Sequence, residues 1–183
     1  MAAEPQVRAG RAGADVRDRT GRGEMNRFVS HYVQRLDAKG RVSVPASFRA
    51  VLGRDGFDGL YCYPALDRPA LDAGGNALLA EIDTLVSSFP PYSEQREQFS
   101  LALYGTSETL KIDGEGRVVL TDAHKTHAGI KDAAIFVGLG HKFRIWEPGR
   151  FRAELTEATG KVRTFKQELG TRTAAGKPLG ARE

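Results

Sequence analysis

The sequence predicts a mixed α+β protein, predominantly β, in which one structural unit occurs twice. The main observation is a repeated phrase: LDAKGRVSVP at 36–45 and IDGEGRVVLT at 112–121 share an Asp, a Gly, an Arg and a Val, each displaced by 76 positions. The second observation is composition. FVSHYVQRL, before the first phrase, is rich in β-branched and aromatic residues, and RVSV alternates apolar with polar residues, as half-buried strands do. These patterns predict two related β-rich halves.

The first copy predicts a strand, a tight turn, a return strand and a short helix. FVSHYVQRL and RVSV flank the turn AKG, so we expect a hairpin with a tight tip. Pro45 ends the return strand, and apolar residues at i, i+3 and i+4 then predict a short helix closed by Gly53. GLYCYPAL, at 59–66, predicts the next strand.

The second copy follows the same order. TLKI leads into the turn DGEG, RVVL is the return strand, Thr121 is a helix N-cap and Gly129 closes the helix in register with Gly53. AIFVGLGHKFRIW, at 134–146, then predicts two strands joined by a Gly-rich turn. The plan of strand, turn, strand, helix and strand is therefore stated twice.

Helices are predicted between the copies and after them, as cover for a small barrel. Apolar residues at helical spacing favour helices over 77–89, 93–103 and roughly 148–169, the first of which ends at two prolines. The expected organisation is a disordered leader (1–24, with Met25 an alternative start), a first domain (25–75), a helical connector (76–104), a second domain (105–153), and a C-terminal helix with a basic tail (154–183).

Composition favours a soluble cytoplasmic protein. The 183 residues, 40% of them hydrophobic, can bury one good core or two small adjoining cores. The one cysteine, Cys62, excludes an internal disulfide framework. The apolar runs are far shorter than the roughly 20 residues of a membrane span, and the N-terminal arginines have no apolar signal core behind them.

The net charge of +4 raises the question of nucleic acid, so the location of the charge matters. Of the 27 basic and 23 acidic residues, 1–24 hold 5 and 4, and 161–183 hold 6 and 2, which leaves 16 and 17 for 25–160. Bulk charge therefore gives the folded part no attraction for DNA. Only a local concentration of basic residues, or its repetition in an oligomer, could supply one.

The repeated phrase has a structural and a functional interpretation. An Asp that accepts turn N–H groups, a Gly with positive φ and an Arg that pairs with the Asp can stabilise a hairpin alone. For a single Asp-x-x-x-Arg this interpretation would be favoured, since such pairs are common on surfaces. Duplication favours function, because two equivalent hairpins can form an intramolecular pseudo-dimer that places two Arg-bearing tips in a related geometry.

The other candidate sites lack the residues that a metal site, a phosphate loop or a catalytic site needs. His124 and His127 have a spacing that can hold a metal ion, but no third ligand is visible near them. GLGHK lacks the GxxxxGK[ST] pattern of phosphate loops and is interpreted as a hairpin turn. No GxSxG and no set of Ser, His and carboxylate is present. We therefore expect neither an enzyme nor a cofactor or metal site.

DAKGRVSVP with the following FRAVL, and DGEGRVVL with the later FVGLGHKFRIWEPGRF, together resemble the MraZ family of transcriptional regulators of the bacterial division and cell-wall gene cluster. The resemblance covers about 28–155. It implies two AbrB-like, SpoVT-type swapped-hairpin half-barrels per chain, with flanking helices. It also implies a ring-shaped homo-oligomer that binds repeated promoter boxes in double-stranded DNA, associates with the nucleoid and makes no membrane contact.

The resemblance also implies roles for individual residues. Arg41 and Arg117 become the main DNA-facing side chains, and Asp37 and Asp113 orient them. A guanidinium can bind a guanine edge bidentately or clamp a phosphate, and a paired carboxylate fixes its direction in advance. The motif-orienting set also includes Gly40 and Gly116. Further phosphate contacts are expected from Lys39, Arg35 and Lys111.

The two tips differ at one position. Lys39 at the first tip corresponds to Glu115 at the second, and an acidic side chain is repelled by phosphate. We therefore expect the first motif to carry more DNA affinity, with Lys111 compensating partly if it reaches the same face. The alternative function is an oligomeric protein-interaction scaffold, in which the Asp-x-x-x-Arg motifs serve assembly.

Overall fold

The computed structural model describes residues 26–174, with side chains to residue 169. The expected leader and the last part of the basic tail lie outside this range. In chain order the elements are β1 (His31–Arg35), β2 (Arg41–Ser43), α1 (Ala46–Arg54), β3 (Leu60–Pro64), β4 (Leu71–Gly74), α2 (Asn76–Ser87), α3 (Glu94–Ser100) with a π-helical continuation (Leu101–Gly105), β5 (Glu108–Leu110), β6 (Arg117–Val119), α4 (Asp122–Ala128), β7 (Ala133–Gly138), β8 (Phe143–Trp146) and α5 (Pro148–Ala174).

The strands form two antiparallel sheets. Six strands lie in the order β1-β7-β8-β4-β3-β5, and β2 and β6 form a separate two-stranded ribbon. Neither sheet closes into a barrel within residues 26–174. The mixed α+β class is confirmed. The predominance of β is wrong, because helical residues outnumber strand residues in this range and α5 alone contains 27.

The prediction of a simple two-stranded hairpin in each copy is wrong. β1 and β2 share only the bridge between Leu36 and Val42, after which β2 pairs with β6 and β1 pairs with β7. The physical reason is burial. Val42 and Val118 are 0% and 1% exposed, and the pairing of β2 with β6 places both on the inner face of the ribbon, toward the core. The tight tip itself is present, closed by the Asp37 N–H donating to the Arg41 carbonyl at 2.9 Å.

The ribbon is the place where the two copies meet, and it is internally symmetric. Val42 and Val118, which occupy equivalent positions of the repeat, are direct partners in the ladder. The Val44 N–H donates to the Gly116 carbonyl at 2.9 Å, and the equivalent bond runs from Leu120 to Gly40 at 3.3 Å. The outer strands show the same relation, since β1 pairs with β7 and β5 pairs with β3. The two halves therefore interlock.

The predicted helix ends are right in the second half and wrong in the first. The Thr121 hydroxyl accepts the His124 N–H at 3.3 Å, and Gly129 closes α4 with φ +70°, as expected. α1 instead continues through Gly53 to Arg54, and Asp55 caps it in the right-handed region. The left-handed residue comes later, at Gly56, with φ +71°.

β4 is a strand that the sequence pattern did not reveal. It lies between β3 and β8, and all four of its residues are buried, so it has no polar alternation. The helices of the connector are close to their predicted ranges, with α2 at 76–87 and α3 beginning at 94 after the capping Ser93. No helix within residues 26–174 is both long and apolar enough to cross a membrane.

The main core lies under the ribbon and joins both halves. Phe48 of α1 packs between two other aromatic rings, with centroid distances of 5.2 Å to Phe28 and 4.9 Å to Phe143. Burying one such side chain contributes roughly 1.5–3 kcal/mol. Val42 and Val118 belong to the same cluster, so the inner face of the ribbon is fixed by the core and its outer face stays at the surface.

Candidate nucleic-acid interface

The first tip, residues 37–41, is organised around one carboxylate. Asp37 Oδ1 accepts the backbone N–H groups of Lys39 and Arg41, both at 2.9 Å, and Oδ2 accepts the Arg41 Nε–H at 2.6 Å. Gly40, with φ +72°, turns the chain where a side chain would be strained. The Arg41 backbone N–H, followed by its guanidinium, holds the pKa of Asp37 below its usual value. The carboxylate therefore stays charged and fixes the arginine.

The second tip, residues 113–117, repeats this arrangement. Asp113 Oδ1 accepts the N–H groups of Glu115 and Arg117 at 2.9 Å each, and Oδ2 accepts the Arg117 Nε–H at 3.0 Å. Gly116 has φ +79°. One contact is new: Glu115 forms an ion pair with Nη1 of Arg117. The hydrogen bond to Asp113, with the charges nearby, raises the pKa of the Arg117 guanidinium.

The ribbon brings both arginines onto one face. Arg41 is opposite Val119 in the ladder, and Ser43 is opposite Arg117. Because side chains alternate along a strand, these four residues share the outer face, while the paired valines between them point into the core. The two arginines are two positions apart along the ladder, or about 7 Å. Their side chains remain 31% and 24% exposed.

The other residues that were predicted to contact phosphate are exposed. Lys39 and Glu115 are exposed at their tips, as the sequence suggested. Arg35 ends β1 opposite Ala133 and is exposed. Lys111 is exposed directly after β5, at the position of the repeat equivalent to Arg35. Among the described contacts, no hydrogen bond fixes Arg35 or Lys111 against a tip.

Two basic residues that the motif did not indicate lie against the tips. The Arg49 guanidinium of α1 rests on the second tip, where a Cβ on Gly116 would be 2.7 Å from Cζ. Lys125 of α4 approaches the first tip, with Nζ 3.4 Å from the corresponding position on Gly40. Arg49 and Lys125 are themselves 76 positions apart. The repeat spacing was therefore a signal that could have found them.

The histidines lie apart from the tips and form no organised site. His124 is 1% exposed, and neither ring nitrogen has a hydrogen-bond partner among the described residues. Its nearest carboxylate oxygen, Glu108 Oε1, is 3.9 Å from Nε2. His127 is exposed, with Nε2 3.3 Å from the Arg68 carbonyl. Within residues 26–169 no group of three or more His, Cys, Asp or Glu side chains could hold a metal ion.

A buried ion-pair cluster on β4 and β8 is also distant in the chain from the tips. Asp72 of β4 is 4% exposed and accepts Arg144 Nε at 2.5 Å and Lys142 Nζ at 3.1 Å. Arg144 also reaches Asp67 at 3.1 Å. These contacts tie β4 to β8, so the cluster has a sufficient structural role.

Comparison with known proteins identifies the family of this chain. A protein-family model described as "MraZ protein, putative antitoxin-like" matches residues 103–168. A "Transcriptional regulator MraZ" of Xanthobacter autotrophicus is 66% identical over 148 residues, which is 81% of this chain and 94% of that protein. Proteins of the same name from Azorhizobium caulinodans and Beijerinckia indica subsp. indica are 63% and 59% identical, over 80% and 87% of this chain and 94% and 100% of theirs. The chain belongs to the MraZ family.

Proposed function

We propose that this protein is a transcriptional regulator that binds double-stranded DNA sequence-specifically at repeated promoter boxes of the division and cell-wall gene cluster, as a ring-shaped homo-oligomer at the nucleoid. The observation that carries the proposal is the outer face of the ribbon. There Arg41 and Arg117 share one face, two positions apart along the ladder, and each is held by the carboxylate four residues before it. The relatives that share most of this sequence are named transcriptional regulators.

The chemistry of this face suits a base edge or a phosphate. Asp37 engages the Nε of Arg41, and no hydrogen bond between an Nη group of Arg41 and a carboxylate is present within the described residues. A guanidinium held in this way has lost most of its rotamer freedom before DNA arrives, so binding costs less conformational entropy. Arg41 and Arg117 are the proposed readers, and the proposed backbone contacts are Lys39, Arg35 and Lys111.

The proposed architecture is two swapped-hairpin, AbrB-like half-barrels that form a pseudo-dimer within one chain. Its support is the strand exchange: β1 pairs with β7, β5 pairs with β3, and the two inner strands pair with each other. The domain boundaries follow as proposals: a first domain (25–75), a helical connector (76–104), a second domain (105–153), and the C-terminal helix and tail (154–183).

Self-association is proposed because α5 presents an apolar stripe to solvent. After the buried Phe151, the helix carries Leu155, Val162 and Phe165, which are 48%, 61% and 56% exposed. Their spacing of seven and three residues places them on one side of a helix, which favours packing against a helix of a second copy. An oligomer would repeat the small basic face, and linked binding events gain effective concentration without new contacts.

The test is in vitro selection of DNA by the purified full-length protein, scored for repeated boxes at regular spacing. Enrichment of such repeats is the expected result, because one ribbon reads few bases and specificity must come from repetition. Selection that enriches no sequence would contradict the proposal.

The Arg41→Ala variant separates this function from the scaffold alternative. If the ribbon face reads DNA, light scattering shows an oligomer of unchanged mass, and gel shift shows loss of binding to the selected repeats. If the motif serves assembly, the same substitution reduces the mass of the oligomer. Arg96→Gln, which removes a charge from α3, is the control and leaves both readouts unchanged.

A further inference from the structure

The second tip is poorly equipped to attract phosphate with its own residues. Asp113 and Glu115 are both acidic, and both bind Arg117. The formal charge of these three side chains is −1. At the first tip, Asp37, Lys39 and Arg41 sum to +1. If each tip worked alone, the second would repel a DNA backbone.

A cation from the other half lies on this tip. β2 runs antiparallel to β6 and ends beside the second tip, where the Val44 N–H donates to the Gly116 carbonyl. α1 begins two residues later, so Arg49 is carried back over the same loop. Its Nε donates to the Val44 carbonyl at 3.2 Å, and its guanidinium lies against Gly116, where an added Cβ would be 2.7 Å from Cζ and would displace the arginine.

Arg49 is exposed, and within the described part of the chain no carboxylate lies at ion-pairing distance from it. Lys125, its counterpart in the repeat, differs on this point because it is paired with Asp122 at 2.8 Å. The two cations are therefore not equivalent. The Arg49 guanidinium is not neutralised by a carboxylate of the described residues, whereas the Lys125 ammonium is partly neutralised by Asp122 of its own helix.

Resting on the proposed function, we infer that Arg49 is a phosphate-contacting residue of the second tip and supplies there the contact that Lys39 supplies at the first. The first half would then provide a DNA-binding cation to both tips. With Arg49 included, the formal charge of the second tip rises from −1 to zero, so Arg117 can approach the duplex without a net repulsion. The ligand is the phosphate backbone, which implies an effect on affinity at every sequence and little effect on base preference.

The test is a fluorescence anisotropy titration of full-length protein with the selected duplex and with an unrelated duplex, at several salt concentrations. We expect Arg49→Gln to weaken both complexes about five- to tenfold and to make the salt dependence shallower by about one released counterion per engaged second tip. We expect Arg49→Lys to stay within about twofold of the wild type, because a lysine restores the charge. Arg96→Gln on α3 is the charge-matched control.

The outcomes are separable. Wild-type protein that binds no duplex contradicts the proposed function and removes this inference with it. Wild-type binding together with unchanged affinity and salt slope in Arg49→Gln contradicts the inference alone. Loss of affinity in both variants with an unchanged salt slope also overturns it, because Arg49 would then act through the Val44 carbonyl rather than through phosphate. Circular dichroism melts of each variant verify that the exposed substitution leaves the fold intact.

Discussion

The two halves have the same arrangement of strands and helix, but the side chains that they bury differ in polarity. In the first half, α1 buries Phe48, which packs edge-to-face on Tyr32 with ring centroids 5.5 Å apart. In the second half, the equivalent positions hold His124 and Glu108, with Nε2 of the histidine 3.9 Å from Oε1 of the glutamate. The ribbon and both Asp-x-x-x-Arg tips are nonetheless alike in the two halves. The tips therefore depend on the ribbon and their own hydrogen bonds, and the surroundings of each half can diverge.

The largest expected effect is on the free energy of unfolding, when the buried residue of each short helix is replaced by alanine. Phe48→Ala should lower the free energy of unfolding by about 3–5 kcal/mol, because it leaves a cavity among aromatic rings. His124→Ala should cost less than half as much, since it also removes two ring nitrogens that lack partners among the described residues. Urea denaturation at one fixed protomer concentration measures both. Equal losses would show that the halves contribute equally to the core.

The next effect concerns the two arginines. Arg41→Ala should weaken binding to selected repeats by at least about a hundredfold, because every protomer of the proposed oligomer would lose a proposed reader. Arg117→Ala should cost roughly tenfold or less, since Arg117 is already engaged by Glu115 as well as Asp113. Gel-shift titration of both variants, with light scattering to verify the oligomer, decides the matter. Equal losses would sink the proposed asymmetry of the tips.

A smaller expected effect is a pH dependence of the stability, which arises from the buried histidine of the second half. Burial lowers the pKa of His124, with Glu108 opposing this effect and His127 adding to it. The unfolded chain therefore takes up a proton near the ordinary value of about 6.5, whereas the folded chain takes it up only at lower pH. The contribution of neutral His124 to the stability is therefore complete above about pH 7. It is lost as the pH falls through 6.5 toward the pKa of His124 in the folded chain.

His124→Leu tests this pH effect. Between pH 7.5 and 5.5 the wild type should lose up to about 1.4 kcal/mol more stability than the variant, measured by urea denaturation at each pH. The comparison variant is His127→Gln, which changes an exposed histidine of the same helix and should retain most of the wild-type pH dependence, because His127 is the smallest contributor to the lowered pKa of His124. An identical pH dependence in His124→Leu and wild type would contradict the prediction.

The smallest expected effect is an exchange of charge at the tips. Glu115→Lys should tighten DNA binding about two- to fivefold, since it releases Arg117 from its second carboxylate and adds a phosphate contact. The reciprocal change, Lys39→Glu, should weaken binding by more than that. Anisotropy titrations at one salt concentration compare the two. If both changes have no effect, the charge difference between the tips is irrelevant to binding.

Features that depend on neighbouring residues were predictable from the sequence. The N-cap at Thr121, the left-handed Gly129 and the turn chemistry of Asp37 and Gly40 involve residues within five positions of one another, and the structure has each of them. The loop motifs could thus be located from a short pattern, because their hydrogen bonds close locally.

Features that depend on distant residues were not predictable in the same way. The partner of β2 is 76 positions away, and a short alternating strand carries no information about which strand it joins. β4 was missed because burial on both faces removes the alternation by which strands are detected. The repeat spacing relates Arg49 to Lys125, but only the structure shows that Arg49 of α1 lies against the tip of the other half.

The exchange of strands also constrains how the chain acquires its structure during synthesis. β2 cannot bury Val42 until Val118 exists, and at about 5–20 residues per second the ribosome needs roughly 4–15 s to add the intervening 76 residues. β1 waits longer still, for β7. Pairings of this sequence separation are slow to form. Both tips should therefore reach their final geometry together and late, only after β6 and β7 have been synthesised.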